Sequence, residues 1–375
     1  MRKNTILIDA SGARTIGSLN NITSLYNYII SNNDNNYYLF IVSNNFLSSK
    51  FDSNTNIKIL QYSFLKLLPI RIIWSTIFLP FFGLFYNVKL IYSPFDIGPF
   101  FKFNQKLLLA IRNPNFILPK KLQTLKYPIF HKIISYLSSI NTNVILYPSF
   151  YANKTISSHI ARKQTEVIYH GIDLDLWRMK NLNNLLINEL IKKDNYILFC
   201  SPFYKFKNLE TLLKAYTIYF NESTEKLNLV LIGKFVSKEY EIKIKKLILD
   251  LKIENKTTFF SNIDINDLIN FYKNAKVITI TSLYETFGHM YIEGLLSNKP
   301  VISSNTEIAK EIMGDYATYF EPENYIELSK ILINKTYLVN HHTQNNELLF
   351  NWLNRYSISN ENIFTINLFN KIIKS

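Results

Sequence analysis

Short runs rich in β-branched and apolar residues recur along the whole chain, each followed by a segment whose apolar positions have helical spacing. That alternation is the pattern of parallel strands joined by crossover helices, since a parallel neighbour is reached only through a long return. The first half offers strands at residues 5–9, 37–42, 57–62, 88–92, 106–111 and 143–147, and the second at 167–169, 196–200, 227–232, 257–260, 277–281 and 300–303. Two such sheets predict an α/β protein with two Rossmann-like domains, and 375 residues suffice for two cores of ordinary size. The expected division is 1–165, a linker at 166–184, a second domain at 185–357 and a last helix at 358–375. In that helix Ile363, Ile366, Leu368, Phe369 and Ile372 fall near helical spacing.

With 47% hydrophobic and 19% charged residues, the composition excludes a disordered protein. Charge is divided unevenly. Residues 1–165 hold 18 Lys and Arg against Asp9, Asp34, Asp52 and Asp96, and so carry the whole net charge of +14. The 24 basic and 24 acidic residues that follow cancel. Such asymmetry predicts a first domain that faces phosphate groups on a membrane, a lipid carrier or a nucleic acid. No recognised nucleic-acid module accompanies it, and nucleic acid is not an expected partner.

The single cysteine, Cys200, forbids an internal disulfide and fits a reducing compartment. The apolar run after Met1 is too short for a signal peptide, so a cytoplasmic protein starting near Met1 is expected. The longest apolar stretch, residues 72–86, is shorter than the roughly 20 residues that cross a bilayer and contains Pro80 and Gly83. It reads as a core helix covering the strand at 88–92, with a membrane-grazing helix as the alternative.

After the strand at 277–281 comes Ser282-Leu-Tyr-Glu-Thr-Phe-Gly-His-Met-Tyr-Ile-Glu-Gly294. This order places a loop carboxylate, Glu285, then a glycine, Gly288, whose backbone can approach a ligand closely, then Glu293 on the following helix. Taken alone, two acids at this spacing are common and are far more often merely solvated loop and helix positions. The succession continues with a strand at 300–303, a helix from Glu307 to Met313 ending at Gly314, and Asp315-Tyr-Ala-Thr-Tyr-Phe-Glu-Pro322. As a whole it resembles the C-terminal half of the family 4 glycosyltransferases. Ile168-Tyr-His-Gly-Ile-Asp173 is similar to that family's interdomain turn. The resemblance implies a GT-B architecture in which two Rossmann-like domains face an interdomain cleft and the last helix returns to the first domain.

In that family the first Glu holds the donor sugar and the second the nucleotide ribose, which implies those roles for Glu285 and Glu293. Thr286, Phe287, Gly288 and the backbone of His289 are implied to line the donor site. A second element, Cys200-Ser-Pro-Phe-Tyr-Lys-Phe-Lys-Asn-Leu-Glu210, lies between a strand and a helix, where a lysine can neutralise a departing diphosphate. Lys207 matches the family's phosphate lysine. Pro202 stands where many members have an arginine, and Lys205 is the substitute proposed for it. Facing the acceptor or a phosphate, the resemblance implies the loop of Arg14 and Gly17 and the strand end carrying Arg112 and Asn113. A plain surface loop for Arg14 and a structural ion pair for Arg112 stay open.

Asp173 and Asp175 are read as linker residues, and the histidines show no ligand spacing, so no metal or other cofactor is expected. The resemblance implies transfer of a sugar, with retention, from a UDP- or GDP-sugar to a glycan or lipid-linked acceptor in surface-polysaccharide assembly. The basic first domain and the mixed basic and apolar stretch at 119–132 add an anionic membrane surface at the inner face of the cell membrane. The alternative is a non-catalytic donor-binding scaffold, which Pro202 favours.

Overall fold

A computed structural model describes residues 3–32, 34–43, 45–124, 128–178, 195–342 and 346–375. The chain divides into two compact units. The first comprises residues 1–117, 125–171 and 357–375, and the second 118–124 and 172–356.

The first unit holds a parallel sheet of β1 (Thr5–Asp9), β2 (Tyr37–Val42), β3 (Ile57–Gln61), β4 (Val88–Ser93), β5 (Lys106–Ala110), β6 (Val144–Tyr147) and β7 (Gln164–Val167), in the order β3-β2-β1-β4-β5-β6-β7. Central strands buried on both faces need unbroken apolar runs, and β1 and β2 have them. Ile6, Ile8, Leu90 and Tyr92 pack with Ile22 and Leu25 of the helix Ile16–Asn32 and with Leu368 and Phe369 of the last helix, Ile358–Lys374. Leu7, Ile91 and Leu107 pack instead with Leu65 and Leu79.

In the second unit, β8 (Tyr196–Cys200), β9 (Asn228–Ile232), β10 (Thr257–Phe260), β11 (Val277–Ile280), β12 (Val301–Ser304) and β13 (Thr318–Phe320) form a parallel sheet ordered β10-β9-β8-β11-β12-β13. Its core joins Phe199, Leu231 and Ile302 to the helices Leu209–Glu222, Lys238–Asp250 and Tyr325–Asn334. Ligand-bearing loops in such sheets follow the carboxyl ends of the strands, and β8 and β11, neighbours at the centre, each lead into one.

Two expectations are corrected and one strand is added. The strand read at 167–169 as the opening of the second half is β7, which ends the first sheet by pairing with β6. As an edge strand it tolerates Gln164-Thr-Glu166, which hid its start. It runs through the boundary drawn at 165, and residues up to Gly171 belong to the first unit; residues 179–184 of the expected linker lie outside the described residues. Thr318–Phe320, too short for a periodicity signal, is the edge strand β13. The stretch at 72–86 is not a core helix. It lies in a continuous helical segment, Leu68–Phe85, of which only 28% is buried, and this is the helix among the described residues long and apolar enough to span a bilayer.

Candidate functional site

The loops after β8 and β11 meet in the second unit. After β8 the chain makes a tight turn, Lys205–Lys207, and Asn208 takes a left-handed conformation with φ 55° before the helix Leu209–Glu222 begins. The Lys207 carbonyl accepts from Thr281 Oγ1 at 2.8 Å, and Leu283 N donates to the Phe206 carbonyl at 2.9 Å. These bonds hold Lys207 beside Glu285. The two side chains, each over nine-tenths buried, form an ion pair, and the Lys207 ammonium also lies 3.4 Å from Met290 Sδ. A buried ammonium costs several kcal/mol unless paired, and Glu285 offsets that cost and holds the side chain in place.

Glu293 sits on the helix His289–Leu296. Its carboxylate accepts from Tyr272 Oη at 2.9 Å. Burial raises its pKa, an effect tempered by the Tyr272 hydrogen bond and the Lys207 charge. Burial and the Glu293 charge also push the Cys200 thiol far up, so that it stays neutral. Gly288 precedes the helix with φ +84°, and a Cβ there would come within 2.7 Å of the Tyr291 ring. Only glycine fits that turn without strain. Thr286 and Phe287 are buried, and the Phe287 ring packs edge-on against His289 and Tyr356. The structure therefore brings Lys207, Glu285 and Glu293 together with the Thr286–His289 turn.

Lys205 is placed differently. It pairs with Glu239 at 3.1 Å, an exposed partner near the start of the helix Lys238–Asp250, so in this state it does not complete a clamp with Lys207. Asp173 Oδ1 accepts from Leu176 N at 3.0 Å, and Asp175 pairs with Arg178 at 3.1 Å, so both serve the short helix Leu174–Arg178.

The remaining candidates belong to the first unit. Arg112 donates to Asn21 Oδ1 at 3.0 Å and Tyr92 Oη at 3.1 Å. Asn21 in turn donates to Glu361, which also accepts from Gly171 N at 2.8 Å and lies 3.2 Å from His170 Nδ1. Arg112 thus serves an internal network that ties the last helix down. Burial opposes ionisation of Glu361, yet the His170 ring, the Arg112 charge and the Gly171 N–H outweigh it and hold the carboxyl low. Gly171 is a glycine because a Cβ would lie 2.4 Å from Ile358 Cα. Asn113 Oδ1 accepts from Asn115 N at 2.9 Å and so caps the turn Pro114–Phe116. Gly17 is exposed with open space around it. Arg14 is exposed and donates to the carbonyls of Leu65 and Lys66.

Sequence reasoning missed Tyr272, Thr281 and Met290, which orient the two carboxylates and the lysine. Each reads as an ordinary core residue, and only the fold shows what its polar atom touches.

Residues 184–336 match the family described as glycosyl transferases group 1. This stretch is a glycosyl transferases group 1 domain. The group 1 domain therefore contains Lys207, Glu285 and Glu293. Over 134 residues, 36% of each chain, the protein is 27% identical to the O-antigen chain mannosyltransferase RfbU of Salmonella typhimurium. Over 157 residues, 42% of this chain and 39% of the relative, it is 27% identical to the N-acetylgalactosamine-N,N'-diacetylbacillosaminyl-diphospho-undecaprenol 4-alpha-N-acetylgalactosaminyltransferase of Campylobacter jejuni. The chain spans half or less of the length of the curated relatives it matches. Among solved structures, Anabaena HepE with UDP and glucose superposes with a TM-score of 0.74 at 15% identity, over 98% of this chain and 100% of that one. A glycosyltransferase from Rickettsia africae superposes with a TM-score of 0.69 at 18% identity over 100% of both chains. Around the group 1 domain, then, the fold is the two-sheet GT-B type.

Proposed function

We propose that this protein is a retaining glycosyltransferase that moves a sugar from a nucleoside diphosphate donor to a growing or lipid-linked glycan of a bacterial surface polysaccharide. The observation that carries this reading is the buried Lys207–Glu285 pair with Glu293 beside it, at the carboxyl ends of the two central strands of a group 1 domain. When a donor enters, its diphosphate takes the Lys207 ammonium, and Glu285 is released to accept from sugar hydroxyls. Glu293 accepts from the ribose in place of Tyr272. As the glycosidic bond breaks, negative charge gathers on the departing phosphate and Lys207 neutralises it, a contact that strengthens in the transition state. The same phosphate takes the acceptor's proton on the face it leaves, so configuration is retained without a separate base. Lys207 fills the part that a divalent cation plays in other transferases, and no metal is required.

The names of two relatives support the choice of product, one an O-antigen enzyme and one acting on a diphospho-undecaprenol glycan. UDP in HepE supports a UDP-sugar as donor, with a GDP-sugar as the second to try. The protein works at the inner face of the cell membrane, where such lipids are built, and its basic first unit faces the lipid. The test is a screen of UDP- and GDP-sugars for thermal stabilisation, followed by product analysis with the stabilising donor. Stabilisation by a sugar nucleotide without turnover on any lipid-linked acceptor supports the scaffold reading that Pro202 favours. No stabilisation by any sugar nucleotide or bare nucleotide rejects the donor site itself.

A further inference from the structure

The apolar helical segment after β3 ends up on the outside of the first unit, and it carries an arginine with one buried nitrogen that has no hydrogen-bond partner among the described residues. Leu68–Ile73 and Leu79–Phe85 are α-helical, with a π turn at Trp74–Phe78 between them. Pro80 has no N–H to give the Thr76 carbonyl, which accepts from Phe100 N at 2.9 Å instead, so the loop after β4 straps the segment to the sheet. Its inner side holds Ser75 and Leu79. Along its outer side Ile70, Ile73, Ile77, Phe81 and Leu84 follow one another at helical spacing, and all are exposed. An apolar stripe of that length facing water marks a contact surface.

Arg71 lies in the first turns of this segment. Its Nη1 is shielded from solvent and has no hydrogen-bond partner among the described residues. The carboxylate nearest to it in charge, Asp9, is engaged: Ser11 Oγ donates to Oδ1 at 2.5 Å and Ser75 Oγ to Oδ2 at 2.6 Å. Burial, joined by the neighbouring positive charge of Arg14 and opposed by Asp9, draws the Arg71 pKa down to about 10. Arg71 therefore feels a second arginine, Arg14, and a single carboxylate, Asp9 at the carboxyl end of β1, which leaves one positive charge in excess. The sequence that forms and follows the segment adds almost no acid. From residue 53 to 165 the one acid is Asp96, which is buried and accepts from the backbone N–H groups of Arg112 and Asn113.

We propose that Arg14 and Arg71 bind the phosphate head of a polyprenyl diphosphate, with the exposed stripe of Leu68–Phe85 lying along its apolar chain at the membrane surface. The ligand class follows from the juxtaposition: a guanidinium pair suits a phosphate, and an apolar stripe running away from it suits a long hydrocarbon tail. A nucleotide would leave the stripe bare, and a free phosphate would leave it wet. The proposal rests on the transferase reading, in which this lipid is the acceptor's carrier.

The experiment uses the full chain, with farnesyl diphosphate and inorganic pyrophosphate as probes in calorimetry. Wild type should bind farnesyl diphosphate at least about tenfold more tightly than pyrophosphate, and Arg71→Gln or Arg14→Gln should each weaken farnesyl diphosphate by about tenfold or more. Arg71→Lys should recover part of the loss, because charge without the planar fork still attracts phosphate. Lys207→Gln should leave this binding unchanged while weakening a bare nucleoside diphosphate, so failure here and failure of the donor site are separate results. The source is settled with phosphatidylcholine vesicles carrying either phosphatidylglycerol or undecaprenyl diphosphate. Arg71→Gln should lose the preference for undecaprenyl diphosphate and keep any attraction to phosphatidylglycerol. Equal binding of farnesyl diphosphate by wild type and Arg71→Gln overturns the proposal. So does a loss confined to phosphatidylglycerol, which would make the pair a reader of bilayer phosphates.

Discussion

Replacing Glu285 by Gln removes the charge that holds Lys207 and leaves almost everything else in place. Both side chains are over nine-tenths buried, and the other neighbours of the ammonium are uncharged, the sulfur of Met290 at 3.4 Å and the Phe206 ring at 5.4 Å from its centroid. Breaking a buried pair by removing one charge costs about 3–5 kcal/mol, and because the amide oxygen still accepts from the ammonium the lower end, about 3 kcal/mol, is expected. At about 2–4 °C per kcal/mol for a unit of this size, the melting temperature should fall by roughly 6–12 °C. A bound nucleoside diphosphate supplies the missing negative charge. Saturating UDP or GDP should therefore stabilise Glu285→Gln by more degrees than it stabilises wild type. Turnover should fall roughly ten- to a thousandfold, since the contact to the donor sugar is lost as charge develops. Differential scanning fluorimetry with and without nucleotide, alongside a product assay, reads all three effects. A variant that melts within a degree or so of wild type and turns over normally would show that the pair is neither an electrostatic necessity nor part of the chemistry.

Glu293→Ala should weaken a bare nucleoside diphosphate in calorimetry, because the ribose contact exists without the sugar; equal affinity would make Glu293 a structural acid. Since burial raises the Glu293 pKa, the folded state keeps its proton to higher pH than the unfolded state does. The stabilising contribution of this group is complete below the ordinary carboxylate range and is lost as pH rises through the raised value, so wild type should lose stability across that window relative to Glu293→Gln in urea titrations. Gly288→Ala should destabilise the protein by about 1–3 kcal/mol, because φ +84° and a Cβ 2.7 Å from Tyr291 are both unfavourable; an unchanged unfolding midpoint refutes the strained turn. Glu361 has a lowered pKa, so its contribution is present at neutral pH and lost as pH falls through that lowered value. Glu361→Gln should accordingly be less stable than wild type at neutral pH and converge with it in acid.

Much of the group 1 domain was legible because its signals are local. A strand, a turn with a glycine at positive φ and a helix leave their marks within a dozen residues, and Glu285, Gly288 and Glu293 fall inside one such dozen. Lys207 was legible only through resemblance, since a lysine before a helix is common. What was not legible depends on partners far away in the chain. The sequence leaves Arg112 open between a cleft role and a structural one, and only the fold sets Asn21 and Tyr92 beside it; the Glu239 partner of Lys205 is equally hidden in the sequence. Edge strands β7 and β13 lack the buried face that generates an apolar pattern. The helix Leu68–Phe85 shows the reverse problem: an apolar run states that a segment avoids water but not which surface it covers. Sheet packing accounts for Leu65, Leu79 and Trp74 and leaves Ile73, Ile77 and Phe81 outside.

The central claim is that Lys207 neutralises a departing nucleoside diphosphate during sugar transfer. Its most direct measurement is the rate of nucleotide release and glycan product formation from the stabilising sugar nucleotide, compared between wild type and Lys207→Gln, with nucleotide affinity measured in parallel. The account predicts that Lys207→Gln loses about a hundredfold or more in turnover at saturating donor, beyond any loss in affinity, because the contact strengthens as the bond breaks. Turnover equal to wild type once donor is saturating would contradict it, leaving Lys207 as a binding residue and the chemistry without its cation.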